Sequence, residues 1–319
     1  MKIVRSLWAT MVGVLIGFHA AAEYPEKPIR LLVPFPPGGA SDTVARIMAP
    51  QLSQALGQNV IVENKPGADG QIAATEVMRA APDGYTLIAA NAGTMNYVPA
   101  VRRTPPYDPT RDFSPISLFT INGFALFVNP AVPATSLPGL IAHARANPGK
   151  LSYGSATPGA ILLMSGLIAN TQTNMVHIPY KGDAAALPDL LTGRIQLMFA
   201  TPTVYLPHAA EGKLRILATS LPQRSPQFPD VPTLVEAGVT PPAFKSWQGI
   251  FGPASMPKAL VERLSREINA VLARTDIRIQ FEKAGFSASG SSPDELGLVV
   301  SEQLEVWRRA VREGQLSQD

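Results

Sequence analysis

Two hydrophobic periods alternate along this chain, and that alternation limits its fold more than any single residue does. Short apolar runs without helical spacing give way repeatedly to segments whose apolar residues recur at three and four. "IRLLVPF" precedes the stretch from Asp42 to Leu56, in which Val44, Ile47, Met48, Leu52 and Leu56 share one helical face. "NVIVEN", the turn "KPGADG", the helix-like "QIAATEVMRAA" and "YTLIAAN" follow. The middle of the chain repeats the plan with "FALFVNP", "LPGLIAHARAN", "LSYGSA", "ILLMSGLIAN", "MVHIPYKG", "AALPDLLTG", "IQLMFA" and "LRILATS". After "WQGIFGPAS", the segments "ALVERLSREINAVLAR" and "PDELGLVVSEQLEVWRRAVRE" read as amphipathic helices. Such order predicts an α/β fold: mostly parallel sheets flanked by helices on both sides.

The 31 prolines and 25 glycines are scattered among apolar runs, so they punctuate many short elements and form no low-complexity linker. With 319 residues the chain exceeds what one core usually serves, and two α/β lobes are expected. Two crossings, near "INGFALF" and "FKSWQGIFG", divide it into lobe 1 (residues 23–123 and 245–319) and lobe 2 (124–244).

The N-terminus reads as an export address. Lys2 and Arg5 precede the apolar run Leu7 to Phe18, and Ala20 and Ala22 supply the small residues for a cut before Glu23. That run is shorter than the roughly 20 apolar residues a membrane span needs. Removal of residues 1–22 takes away two basic and no acidic residues, so the formal net charge falls from +3 to +1. The chain has no cysteine and therefore no lipid-modified N-terminus, which fits a diffusible periplasmic protein.

The corner "VPFPPGGASDTVAR" joins the first strand to the first helix. A helix that begins there leaves its first N–H groups unpaired, with partial positive charge, and anions bind such ends readily. Pro34, Pro36 and Pro37 stiffen the approach, while Gly38 and Gly39 allow a tight turn close to a ligand. Ser41 or Asp42 is expected to cap the helix. The same composition also suits an ordinary capped turn. "LSYGSATPGAILLMSG" repeats the chemistry and predicts a second bare helix start, and "HIPYKGDAAALPDLL" offers a third. Facing lobes would bring these strand-end loops to one cleft, where open α/β sheets bind ligands.

The ordered set "VPFPPGGASDTVAR", "VENKPGADGQIA", "APDGYTL", "YDPTRDFSPIS", "LSYGSA", "HIPYKG" and "DVPTLVEAG" resembles the solute-binding proteins of tripartite tricarboxylate transporters, the Bug receptors. The motifs cover nearly the whole chain after residue 22. The resemblance implies a two-lobed, type II-like Venus flytrap that captures a small organic acid in the periplasm and delivers it to membrane permease subunits. It implies no cofactor, and we expect a monomer. By position, the first-lobe contacts are Phe35, Pro36, Gly38, Gly39 and Asp42, then Asn91, Ala92 and Thr94. The second-lobe contacts are Ser155, Ala156, Thr157 and Gly159, then Tyr180, Lys181 and Gly182, and more loosely Ala200 and Thr201. Asp42 is expected to order its loop, because a second negative charge beside a bound anion would repel it. Ser155 and Thr157 are the best side-chain donors. Lys181 either binds the acid or stays solvated. Where the family often carries a serine and a histidine, this chain has Ala160 and Leu163. They either make the pocket less polar, favouring a monoacid or an aliphatic or aromatic acid over citrate, or merely pack the helix.

Other classes find little support. Beyond residue 22 the histidines are His143, His177 and His208, in no metal-ligand spacing, and no metal site is expected. "YGSAT" lacks the G-x-S-x-G elbow, and no phosphate-binding G-x-x-x-x-G-K-[ST] occurs. A Ser/His pair assembled from distant residues is the form an exported hydrolase would take. His177, in an apolar run, reads as a core or turn residue, and Trp247 as packing before ligand stacking. Basic residues are dispersed, arguing against nucleic acid, and "WRRAVRE" reads as the solvated face of a terminal helix.

Overall fold

The computed structural model describes residues 24–225, 227–314 and 316. The expected signal peptide and its cleavage point lie outside them. Strands Ile29–Val33 (β1), Val60–Asn64 (β2) and Thr86–Asn91 (β3) alternate with helices Ala40–Leu56 (α1) and Gln71–Met78 (α2). A π-helical turn at Gly93–Tyr97 runs into the short helix Val98–Val101 (α3), and strand Phe113–Asn122 (β4) leads to the first crossing.

The middle of the chain forms strands Ala125–Val128 (β5), Ser152–Ser155 (β6), Val176–Pro179 (β7), Leu197–Ala200 (β8) and Arg215–Thr219 (β9). Between them lie helices Leu137–Ala146 (α4), Pro158–Thr171 (α5), Asp183–Thr192 (α6) and Pro202–Ala210 (α7). The chain then returns through strand Ser246–Pro253 (β10), helices Lys258–Ala273 (α8) and Thr275–Lys283 (α9), the two-residue strand Ser287–Ala288 (β11) and helix Pro293–Arg312 (α10).

These strands make two sheets, ordered β11-β4-β10-β3-β1-β2 and β7-β6-β8-β5-β9. The expectation of mostly parallel sheets needs refining. β1 is parallel to β2 and β3, and β6 to β7 and β8, but β10, β4, β11, β5 and β9 pair antiparallel. Direction follows from connectivity. A strand that leads into its own crossover helix ends at the edge bearing the loops singled out from the sequence. β5 and β10 instead enter their sheets at that edge from the neighbouring lobe, and so run the other way.

Both faces of the central strands are covered, which is why they read as continuous apolar runs, while the edge strands β2 and β7 are partly exposed. Along β1, Ile29, Leu31 and Val33 join one core cluster while Leu32 joins another. Along β5, Leu126 and Val128 face α4 and α5, whereas Phe127 faces Tyr205 of α7. The face predicted for α1 is the buried one, with Ile47 at its margin.

A smaller cluster joins the two halves. Leu162 of α5 packs with Ala100 of α3 and with Leu304, Trp307 and Ala310 of α10. Trp307, fully buried, makes edge contacts with Tyr97 and Phe244 at centroid distances of 5.5 and 5.3 Å. Burial of this ring is worth about 3–5 kcal/mol on truncation to alanine. The run "WRRAVRE" is therefore solvated at its arginines and Glu313 but not at Trp307 or Ala310. Trp247 is likewise packed into a core, 1% exposed.

α10 starts on a capping box: Ser292 Oγ accepts from the Glu295 N–H while Glu295 Oε2 accepts from the Ser292 N–H.

Candidate functional site: loops at the strand ends

The corner after β1 is built around one acid. α1 begins at Ala40 with Gly39 as N-cap, and no side chain caps it. Ser41 and Asp42 are not the cap, contrary to expectation, because both already lie inside the first turn. Asp42 instead reaches back, accepting from the Gly38 N–H at 2.9 Å, from Arg46 Nε at 2.9 and 3.0 Å, and from Asn64 Nδ2 at 2.9 Å. Asn64 also donates to the Phe35 carbonyl at 3.0 Å, so β2 braces the corner. Burial raises the Asp42 pKa, but the bonds from Arg46, Gly38 and Asn64 outweigh it and hold the carboxyl below its ordinary range. Gly38 turns at φ +81°, in the left-handed region. Pro36, Pro37 and Gly38 stand exposed. Among the described residues no side chain caps the first N–H groups of α1, and the Asp42 carboxylate is engaged by Gly38, Arg46 and Asn64 instead.

After β3, Asn91 Oδ1 accepts from the Thr94 N–H at 3.1 Å, and Thr94 Oγ1 donates to the Asp69 carbonyl at 3.2 Å. Tyr107 donates to the Thr94 carbonyl from below at 2.6 Å. Ala92 and Thr94 are buried. Gly70 fits because a side chain there would strike Thr94 and Pro34, which ties this segment to the β1 corner.

In the second half, β6 ends at Ser155, whose Oγ lies 2.6 Å from His177 Nε2. Ser155 is 2% exposed, and the His177 ring stacks on Tyr153 at 4.9 Å. Partial burial lowers the His177 pKa. Thr157 is the N-cap of α5 and accepts from the Ala160 N–H at 3.3 Å, while Pro158 has no N–H to offer. The second helix start is thus not bare as expected: one donor is capped and another does not exist, leaving that of Gly159. A Cβ on Gly159 would come 2.7 Å from Phe244 and 3.0 Å from Phe124, so the bare backbone lets α5 lie on both crossings. Ala160 and Leu163 are buried in the core of the second sheet, where they pack the helix.

The Tyr180 N–H donates to the Ser155 carbonyl, and its hydroxyl to Asp189, each at 2.8 Å. Lys181 is exposed, with no ion pair among the described residues. Gly182, at φ +149°, precedes α6, whose start no side chain caps. Thr201, buried after Ala200 at the end of β8, donates to Asp183 Oδ2 at 3.0 Å. Asp183 was not singled out from the sequence. Burial, partly offset by that bond, raises its pKa to about 6.

The two halves approach each other through the Asn91–Thr94 and Thr157–Gly159 segments: a Cβ on Gly93 would lie 3.8 Å from Pro158 Cγ. Strand-end loops of both sheets thus meet, presenting main-chain N–H groups and hydroxyls. Residues 44–316 match the model of the tripartite tricarboxylate transporter family receptor. The chain belongs to that family. A protein encoded between tcbD and tcbE in Pseudomonas sp. strain P51 is 35% identical over 301 residues, 92% of this chain and 88% of that one. Among solved structures, an R. palustris protein with adipate shares 31% identity at TM-score 0.85, covering 91% of this chain and 98% of that one. MatC of Rhodopseudomonas palustris with bound malate shares 29% at TM-score 0.81, covering 90% and 100%. The family fold is that of a two-lobed binding protein. No group of three or more potential metal ligands occurs among the described residues.

Proposed function

We propose that this receptor closes on a small organic carboxylate held by main-chain amides and hydroxyls of both lobes, and delivers it to the permease of a tripartite transporter. The observation that carries the reading is the uncapped start of α1, kept free because Asp42 is locked into Gly38, Arg46 and Asn64. Neutral donors aimed at one point stabilise a negative charge without an arginine. The approach of Gly93 to Pro158 supports a cleft that both lobes complete. Lobe 1 comprises residues 23–123 and 245–319, lobe 2 residues 124–244, with Phe124 and Phe244 at the crossings. The ligand contacts are those named from the sequence, with Thr157 serving also as a cap, Ser155 contributing through its main chain because its hydroxyl is tied to His177, and Asp42 acting by ordering its loop.

The mature protein is periplasmic and monomeric, cut after Ala22, and binds no nucleic acid. Thermal shift against a carboxylate library tests the reading, since an acid at 100 times its dissociation constant stabilises by about 2.7 kcal/mol. A library without a hit, or small-angle scattering that shows no compaction with a verified ligand, contradicts it.

Hydrolysis is the second reading, favoured by the 2.6 Å Ser155–His177 contact. A nucleophile must be open to its substrate and its base oriented by a third group. Ser155 is 2% exposed, and His177 Nδ1 has no hydrogen bond among the described residues. The pair therefore reads as structural. Ester or amide turnover that disappears in Ser155→Ala would reverse that choice.

A further inference from the structure

Asp183 is an unfinished contact. It opens α6 directly after the Tyr180–Gly182 segment, and its Oδ2 is tied to Thr201 at the end of β8, so the carboxyl links two of the expected ligand segments. Its other oxygen has no hydrogen bond among the described residues.

Three polar groups on the adjoining segments are engaged elsewhere. The Tyr205 hydroxyl donates to the Asp183 main-chain carbonyl at 2.8 Å. The Tyr180 hydroxyl and Arg194 both go to Asp189. Lys181 extends outward without an ion pair among the described residues. Among the described residues no ion pair therefore offsets the charge that Asp183 brings to a site for anions.

Taking the carboxylate-receptor reading as its basis, we infer that Asp183 is a specificity-determining residue, selecting small carboxylates that carry a hydroxyl or ammonium donor beside the acid group. A plain carboxylate placed there meets a like charge and leaves an acceptor unpaired. An acid with its own donor satisfies the free oxygen through a charge-assisted bond, and its ammonium or hydroxyl dipole separates the two carboxylates. A site that rejects the unsubstituted acid in this way discriminates through repulsion as well as attraction.

The test is calorimetric titration at pH 7.5 of the full mature protein and of Asp183→Asn, which keeps an acceptor for Thr201. The probes are three matched sets: propionate and lactate; succinate, malate and aspartate; adipate, 2-hydroxyadipate and 2-aminoadipate. Wild type is expected to bind a donor-bearing member about tenfold or more tighter than its plain counterpart, the range a charged hydrogen bond supplies. In Asp183→Asn that ratio should fall to about threefold or less, chiefly because the plain acid gains affinity. An unchanged ratio overturns the inference. So does a wild type that prefers plain acids and takes up a proton on binding, read from titrations in two buffers of different ionisation heat. Absence of binding by every acid to both proteins overturns the receptor reading and this inference together. Binding with an unchanged ratio overturns the inference alone.

Discussion

Asp42 and Asp183 occupy equivalent places, each in the first turn of a helix that follows a strand, yet their surroundings treat the charge in opposite ways. Asp42 has three donors from a turn, a helix and a neighbouring strand, and its carboxyl stays ionised. Asp183 has one, from Thr201, and its pKa is pushed up to about 6. Asp42 is 3% exposed and Asp183 is partly buried. The two also differ in how many donors the fold supplies, so one acid is a strut while the other keeps an oxygen without a hydrogen bond among the described residues.

The largest effect expected from breaking this comparison comes from Asp42→Ala. It strands the Gly38 N–H and releases Asn64, and should cost about 3 kcal/mol by denaturant unfolding, discounted because half of Arg46 is exposed. Carboxylate binding should weaken with it. The strut's pH sign is that of a depressed acid: its contribution is full above the unfolded pKa and is lost as pH falls through the folded one.

Asp183 has the opposite sign. Its folded form holds a proton more tightly, so its stability penalty is absent below the unfolded pKa, grows as pH rises from about 4 to about 6 and persists above. Asp183→Asn removes the charge and should raise stability at pH 7.5 by about 2 kcal/mol, flattening that segment of the stability–pH curve. Unfolding curves at pH 4, 6 and 7.5 check both; a loss of stability at pH 7.5 would show that Asp183 is a second strut.

Thr201→Val sharpens the same contrast. Loss of the one donor should cost about 1.5 kcal/mol at pH 7.5 and raise the Asp183 pKa further, visible by NMR titration of the carboxyl. The smallest effect belongs to Gly38→Ala. There is open space around a Cβ at this position, so only the left-handed backbone resists it, at about 1 kcal/mol by denaturant unfolding.

Much of this was legible in the sequence because it is local. The corner at Pro36–Gly39 announces itself through residues that fix or free φ, and Asp42 orders that loop, as expected. The two amphipathic C-terminal helices follow from their period. What was missed depends on register and tertiary neighbours. Ser155 meets His177 diagonally across β6 and β7, a pairing visible only once Tyr153 is known to sit opposite His177. Asp183 meets Thr201 across β6, which lies between β7 and β8 although it precedes both in the chain. Thr157 became a cap because Pro158 fixes the helix start behind it. Ala160 and Leu163 share a helix with Leu162, yet Leu162, with Ile161 at its margin, turns toward α10; helical rotation, not residue type, decides which face meets that helix.

The place of β10 between β3 and β4 dictates an order of assembly. All five strands of the second sheet lie within residues 125–219, so the strands of that sheet are all present once residue 219 has been made. The first sheet, begun earlier, waits with two exposed strand edges until residues 246–253 arrive to zip it shut. The half of the receptor that is made first is thus the half that finishes last.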